Sequence, residues 1–265
     1  MFKHAIFCSH GAGQRITGVE HTPLMLHKLF RRDINKVFVP DKENIFKNLI
    51  SIYNANESVH GKRINIGGDH SITIATGAHS LNKCRNTKFI WIDAHADINT
   101  INSSSSGNYH GMPLGFLTNQ CRIKHLHFLR NRLDFDNLLY IGVRSIDPFE
   151  QVIIDKNNIS VIRSQMCNRN VDIVCEYIEH FCRNSNVHVS FDVDAVDPYY
   201  IQSTGTTVKK GLTPKVVTKM LDFINKNTYV VNMDVCELNL NLGTNAQKHR
   251  SLEHMLNILR PLHIL

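Results

Sequence analysis

The sequence has no Cys-x-x-Cys pair. Its seven cysteines are odd in number and scattered, which excludes a zinc knuckle or a disulfide framework and fits a reducing compartment. Most of them read as small core residues. No apolar run is long enough to span a bilayer. The first ten residues hold one lysine and a short apolar stretch without a cleavage pattern. Ala5–Cys8 therefore reads as a first strand, and the protein is expected in the cytosol. Although the formal charge is +7, the basic residues form only short doublets such as Arg31-Arg32 and Lys209-Lys210. With no basic arm and no interleaving of basic and aromatic residues, neither a nucleic acid nor a membrane is expected as a partner. No linker, charge block or repeat divides the 265 residues, so one domain over 1–265 is expected. The low-complexity stretch Ser103–Gly107 is short enough to be a loop.

Apolar, β-branched runs instead alternate with segments of helical period, which predicts βαβ units and a parallel sheet. Strands are expected at Ala5–Cys8, Lys36–Val39, Arg63–Ile66, Lys88–Asp93, Leu138–Gly142, Ser160–Ile162, Val187–Val193 and Tyr229–Cys236. Helices are expected near Pro23–Arg32, Asn44–Asn54, Ile72–Asn82, Pro148–Asn157, Asp172–Arg183, Pro214–Asn225 and Ala246–Leu259. Thr213 before Pro214 is a well-formed helix start. The fold class is α/β, three layers with a central, mainly parallel sheet.

In such sheets ligands bind beyond the carboxyl ends of strands, and three of the expected strands run into Asp or His there. Arg63–Ile66 leads into Gly67-Gly68-Asp69-His70-Ser71, a weak signal alone. Lys88–Asp93 continues as Asp93-Ala94-His95-Ala96-Asp97, polar residues alternating with alanine so that their side chains share one side at period two. Val187–Val193 presents Asp192 and Asp194 in the same way, ahead of Asp197-Pro198. Burying carboxylates beside imidazoles is costly unless a cation compensates. Four aspartates and two histidines suit two divalent cations about 3.5–4 Å apart, and a ligand set dominated by hard oxygen favours manganese over zinc or copper.

In order and separation these three motifs are similar to the metal-binding signatures of the ureohydrolase (arginase) family across most of the chain. The resemblance implies two Mn2+ per subunit, one held by His70, Asp93, Asp97 and Asp192, the other by His95, Asp93, Asp192 and Asp194. It implies further that Asn99, Ser106 and Asn108 grip the α-carboxylate of L-arginine, neutral donors suited to that group, and that Asp147, helped by Glu150, reads the α-amino group. His110 matches the family's proton-shuttle histidine, Glu237 the carboxylate that holds the guanidinium, and Thr206 a substrate-loop position. Ser145 departs from the family, which carries an acid there, and so does Lys209-Lys210.

The implied reaction is attack on the guanidinium carbon by a hydroxide bridging the two ions, with Asp194 taking its hydrogen bond or proton and His110 protonating the leaving amine. L-ornithine and urea are the products. A homo-oligomer, trimer or hexamer, is the family's habit. Three alternatives keep the scaffold: a ureohydrolase acting on agmatine or another guanidino compound, a single-metal deacetylase-like amidohydrolase, and a catalytically silent regulatory or binding protein.

Overall fold

Strand Lys88–Ile92 is almost entirely large and apolar, and both of its faces are buried. Phe89 and Trp91 point to one side, Ile90 and Ile92 to the other. That is the pattern of a strand inside a parallel sheet covered on both faces. The computed structural model describes residues 1–42 and 44–265. Its strands are β1 (His4–Cys8), β2 (Asn35–Val39), β3 (Arg63–Gly67), β4 (Lys88–Ile92), β5 (Leu138–Ile141), β6 (Ser160–Ile162), β7 (Asn186–Asp192) and β8 (Tyr229–Cys236). They form one sheet in the order β2-β1-β3-β8-β7-β4-β5-β6, with every neighbouring pair parallel. The expected fold class is therefore observed, and each expected strand is present within a residue or two.

The helices are α1 (Thr22–Leu26), α2 (Ile45–Glu57), α3 (Ile72–Lys83), α4 (Pro113–Leu117), α5 (Pro148–Lys156), α6 (Ser164–Arg169), α7 (Val171–Cys182), α8 (Pro214–Asn227) and α9 (Asn245–Leu259). One layer packs Ile178, Val217, Leu221 and Ile258 of α7, α8 and α9 on the sheet. The opposite layer packs Leu49, Ile74, Leu114 and Ile154 of α2, α3, α4 and α5. Helix α8 starts at the expected cap, where the Thr213 hydroxyl accepts from the Val216 N–H. None of the helical segments near Pro23–Arg32 runs that far. The chain passes from α1 into a 3-10 turn at His27–Leu29 and then becomes extended at Phe30, whose ring meets Phe7 edge-on at 5.0 Å. Helices α4 and α6 escape a sequence reading because five or six residues are too few to show a period. The segment 122–132 does interleave basic and apolar side chains, contrary to the dispersed reading, but its Leu126 and Phe128 are buried in the core.

The α3-facing side of the central strands is unusually polar. In register across the sheet stand Asn65, Asp234, Ser190 and Trp91, and one step below them Arg63, Asn232, His188 and Phe89. Helix α3 meets these rows with Thr73, Thr76 and Ser80. Asp234 accepts hydrogen bonds from Thr73 (2.8 Å), Thr76 (2.5 Å) and Asn65 (2.7 Å) and lies 3.1 Å from His188 Nε2. A buried carboxylate is tolerated when its lone pairs are filled in this way. Hydrogen bonds and His188 hold Asp234 below the usual carboxylate range against the opposing effect of burial.

At the top of β3 the backbone passes so close to the β1 loop that a side chain at Gly68 would overlap the His10 carbonyl oxygen. Gly68→Ala should thus destabilise the fold by on the order of 3 kcal/mol, seen as a lower urea midpoint with an unchanged slope. An unshifted midpoint would show that this approach is not held tightly.

Candidate metal centre

Four adjacent strands in the middle of the sheet, β3, β8, β7 and β4, deliver the polar residues at their carboxyl ends. The pleat does not do this alone, as period two had suggested. Strand β4 ends at Ile92, one residue before Asp93, and Asp97 has a left-handed backbone with φ 50°. Its carbonyl accepts from the Leu114 N–H of α4, which helps hold that strained turn. Strand β7 gives way after Asp192 to a 3-10 turn over Val193–Ala195, and the Asp194 N–H donates to Asp192 Oδ1 at 2.8 Å. The two carboxylates are brought together by a turn, not by a shared strand face.

His70, Asp93 and Asp97 each offer a ligand atom within 4.8 Å of the others, as do Asp93, His95 and Asp194. Asp93 belongs to both groups. His70 Nδ1 lies 3.1 Å from carboxylate oxygens of Asp93, Asp97 and Asp192. It is fully buried and has no hydrogen-bond partner of good geometry. Its other nitrogen is 2.7 Å from Ser190 Oγ, and its ring stacks on Trp91 at 4.3 Å. An imidazole fixed at one nitrogen, with the other aimed at three carboxylate oxygens, is the posture of a metal ligand with its outer support in place. The Trp91 indole N–H donates to Asp93 Oδ2 (3.0 Å), and the His95 N–H to Asp93 Oδ1 (2.7 Å). Asp194 Oδ2 accepts from the Thr206 hydroxyl at 2.9 Å and sits 3.0 Å from His95 Nδ1.

Packed this closely, these charges disturb one another. Burial and the Asp93 charge push Asp97 up to about 6 and also raise Asp194. Burial, then Asp194 and Asp93, raise Asp192 well above its ordinary value. Asp93 is lowered despite burial because His70 and His95 flank it. His95 rises to about 12, since Asp194 and Asp93 outweigh its burial. Divalent cations would relieve the repulsion among the carboxylates, and the donor set of oxygens and two imidazoles fits them.

Above the cluster lies a small polar cleft of about 110 Å³, lined by His95, Asp97, Asn99, Ser106, His110, Ser145, Asp147, Glu150, Asp192 and Thr206, among others. Two of the expected substrate residues lie outside this lining. Asn108 is half-buried, its N–H donating to Ser106 Oγ. Glu237 lies beneath, with a left-handed backbone of φ 69° and its N–H on the Gly68 carbonyl. Glu237 Oε1 accepts from the His70 N–H (2.9 Å) and lies 3.1 Å from His110 Nδ1, while Oε2 accepts from Gln14 Nε2 at 2.8 Å. Burial pulls the His110 imidazole down, but Glu237 overcomes this and lifts it to about 9.

Asn99 Nδ2 donates to Asp147 Oδ2 at 2.9 Å. Both oxygens of Glu150 are taken, one by the Ile98 N–H and one by the Asp147 N–H in a capping box at the start of α5. Glu150 thereby braces Asp147 and the Asp97–Asn99 turn while remaining in the lining of the cleft. Gln14 and the support given by Ser190 escaped the sequence reading. Ser190 stands two residues before Asp192, so its inward direction was legible while its partner, His70, was not.

Residues 13–259 match the profile of the Arginase family. The chain belongs to the arginase family. It is 37% identical to an arginase of Neurospora crassa over 192 residues, 68% of this chain and 54% of that protein. It is 36% identical to an arginase of Plasmodium berghei over 184 residues, 66% of this chain and 52% of that one. Thus the match spans about half the length of these relatives. With human mitochondrial arginase-2 it shares 29% identity over 92% of this chain and 79% of that protein. Among solved structures, Entamoeba histolytica arginase in complex with L-ornithine superposes with a TM-score of 0.87 at 26% identity, covering 97% of this chain and 98% of that one. Bacillus subtilis arginase shares the fold with a TM-score of 0.88 at 23% identity, covering 99% and 98%. Among the described residues, no helix of this arginase-family chain is long and apolar enough to cross a membrane.

If Ser190 fixes the His70 ring for a cation, Ser190→Ala should weaken manganese binding by about 10–100-fold while the chain stays folded. Competition with a chelator, read by elemental analysis, measures this; affinity equal to that of the parent would remove Ser190 from the site.

Proposed function

We propose that the protein is an arginase-type ureohydrolase that converts L-arginine and water to L-ornithine and urea. The observation that carries this is the buried, unpartnered Nδ1 of His70 facing three carboxylates from two strand ends, in a chain of the arginase family. His70, Asp93, Asp97 and Asp192 would hold one divalent cation, and His95, Asp93, Asp192 and Asp194 a second; the oxygen-rich set favours manganese. When bound, such a pair lowers the pKa of water so that a hydroxide nucleophile is available near neutral pH.

The side chains around the cluster supply the rest. Glu237 accepts N–H bonds from the substrate guanidinium and turns its carbon toward the cluster. Its two oxygens are already oriented by the His70 N–H, His110 and Gln14. Asp194, steadied by Thr206, takes the remaining proton of the nucleophile as the urea C=O forms. His110 gives a proton to the departing δ-nitrogen, so that the C–N bond breaks to leave a neutral amine and urea. Asn99, Ser106 and Asn108 donate to the α-carboxylate, and Asp147 pairs with the α-amino group. Because Ser145 replaces an acid, that amino group meets one negative charge fewer. The Entamoeba relative was solved with L-ornithine, the amino-acid product of this reaction.

Urea release by manganese-loaded protein, offered L-arginine and agmatine in parallel, tests the assignment. Urea from arginine alone is expected. Urea from agmatine alone would keep the metal chemistry and overturn the roles of Asn99, Ser106 and Asn108; urea from neither would favour a silent scaffold.

His110 adds a pH signature. Its folded value near 9 keeps the imidazole protonated below that pH, so the proton donor is lost as pH rises through about 9. On this basis kcat/KM should fall on that alkaline limb. His110→Ala should lower kcat by about 10²–10⁴-fold and remove the limb, and an unchanged alkaline limb in His110→Ala would assign it to another group.

A further inference from the structure

At the opposite, amino-terminal end of the sheet a second cavity of about 410 Å³ opens between the starts of β3, β7 and β8 and the ends of α3 and α8. Its lining includes Lys62, Arg63, His79 and Lys83, and it contains no aspartate or glutamate. Lys83 is paired with Glu57 at 2.9 Å, outside the lining. Arg63, 7% exposed, spends its N–H groups on the carbonyls of Gly61 and Asn56, and the carboxylate whose charge reaches it is Glu57, outside the lining. Lys62 lies over the Phe2 ring at 4.5 Å and donates to Asn225 Oδ1 at 2.5 Å. Among the described residues, neither Lys62 nor Arg63 forms an ion pair.

His79 adds an independent sign of a missing partner. It is 3% exposed, and its Nε2 lies 3.4 Å from Arg63 Nη1. Guanidinium nitrogens only donate, so toward Arg63 the Nε2 accepts, although Glu57 Oε1 also stands 3.7 Å from it, and the ring proton sits on Nδ1. That nitrogen is buried without a partner, a donor lacking an acceptor, and such groups are uncommon in folded proteins. Burial, with Arg63 adding to it, depresses His79 to about 3, so the ring is neutral and the Nδ1–H is a fixed donor. Burial likewise pulls the Lys62 ammonium down to about 8, as expected of a cation without a counter-charge.

We propose that this cavity is a binding site for a small oxyanion, a carboxylate or a phosphate group, held by Lys62 and Arg63 beside the neutral ring of His79. It is separate from the metal centre and does not depend on the reaction assigned there. An anion would give Lys62 the counter-charge it lacks and Arg63 one from the side away from Glu57. The amides of Asn186 and Asn225, also in the lining, would read the polar remainder of the molecule. The 410 Å³ volume falls in the range of small-molecule sites, about 300–1,000 Å³.

The test uses the manganese-loaded protein and two probes, orthophosphate and succinate, at matched ionic strength. The acetylation rate of Lys62 is followed by peptide mass spectrometry, with Lys226, paired to Asp222 on the surface, as the reference. Slowing of Lys62 alone by phosphate, by succinate or by both supports the site and identifies which oxyanion class it takes. Asn225→Asp places a carboxylate against Lys62 and should abolish the protection. Lys62→Met, read by calorimetry, should weaken anion binding about tenfold. If neither anion protects Lys62 at millimolar concentration, or if anion binding is the same in Lys62→Met, the proposal is overturned; the second result would place the anion at the metal centre.

Discussion

Mutual repulsion among buried carboxylates is the constraint around which this molecule is organised. Asp93, Asp97, Asp192 and Asp194 converge in a space from which water is largely excluded, an arrangement a fold tolerates only if its framework resists the tendency of like charges to separate. The framework resists with backbone and indole N–H groups. His95, Asp194 and Ala94 give their amides to the carboxylates, and Trp91 gives its indole N–H. The strain is borne by two non-glycine residues in left-handed conformations, Asp97 and Glu237, at opposite sides of the cluster. Each is anchored to a neighbour, Asp97 to Leu114 of α4 and Glu237 to Gly68 at the end of β3.

A second layer of order lies under the polar cleft. Glu150 ties the start of α5 to the turn after Asp97, and Asn99 bridges from that turn back to Asp147. The loop that bears Asp97 and the loop that bears Asp147 are therefore one hydrogen-bonded unit. Arg144 does the same on the far side, donating to the carbonyls of Asp194 and Val208, which joins the Asp194 turn to the loop carrying Lys209-Lys210.

Much of this was legible in the chain. The strands were visible because a parallel sheet covered on both faces needs unbroken β-branched and aromatic runs, as in Phe89–Ile92, and the strand ends were visible because those runs stop at aspartate or histidine. Tertiary geometry was not. Period two placed Asp192 and Asp194 on one face, whereas a 3-10 turn joins them. Glu150 entered only through the family resemblance, whereas its spacing from Asp147 also forms a capping box that sequence reading did not single out. The polar rows under the site could not be foreseen either. Asn65, His188, Ser190 and Asp234 each look like an isolated polar interruption in an apolar strand, and only the register of four strands makes them one network.

That network gives helix α3 a special mechanical status. The helix is preceded by His70, meets Asp234 through Thr73 and Thr76, and through Ser80 contacts His188 at 2.9 Å. His79 and Ser80 then line the cavity at the other end of the sheet. Sliding this helix by one residue, a rise of about 1.5 Å, would unmake the metal-facing imidazole, the Asp234 contacts and the far cavity together. It therefore behaves as a bolt, shot or drawn as a whole, and the two ends of the sheet keep their spacing through a single rigid part.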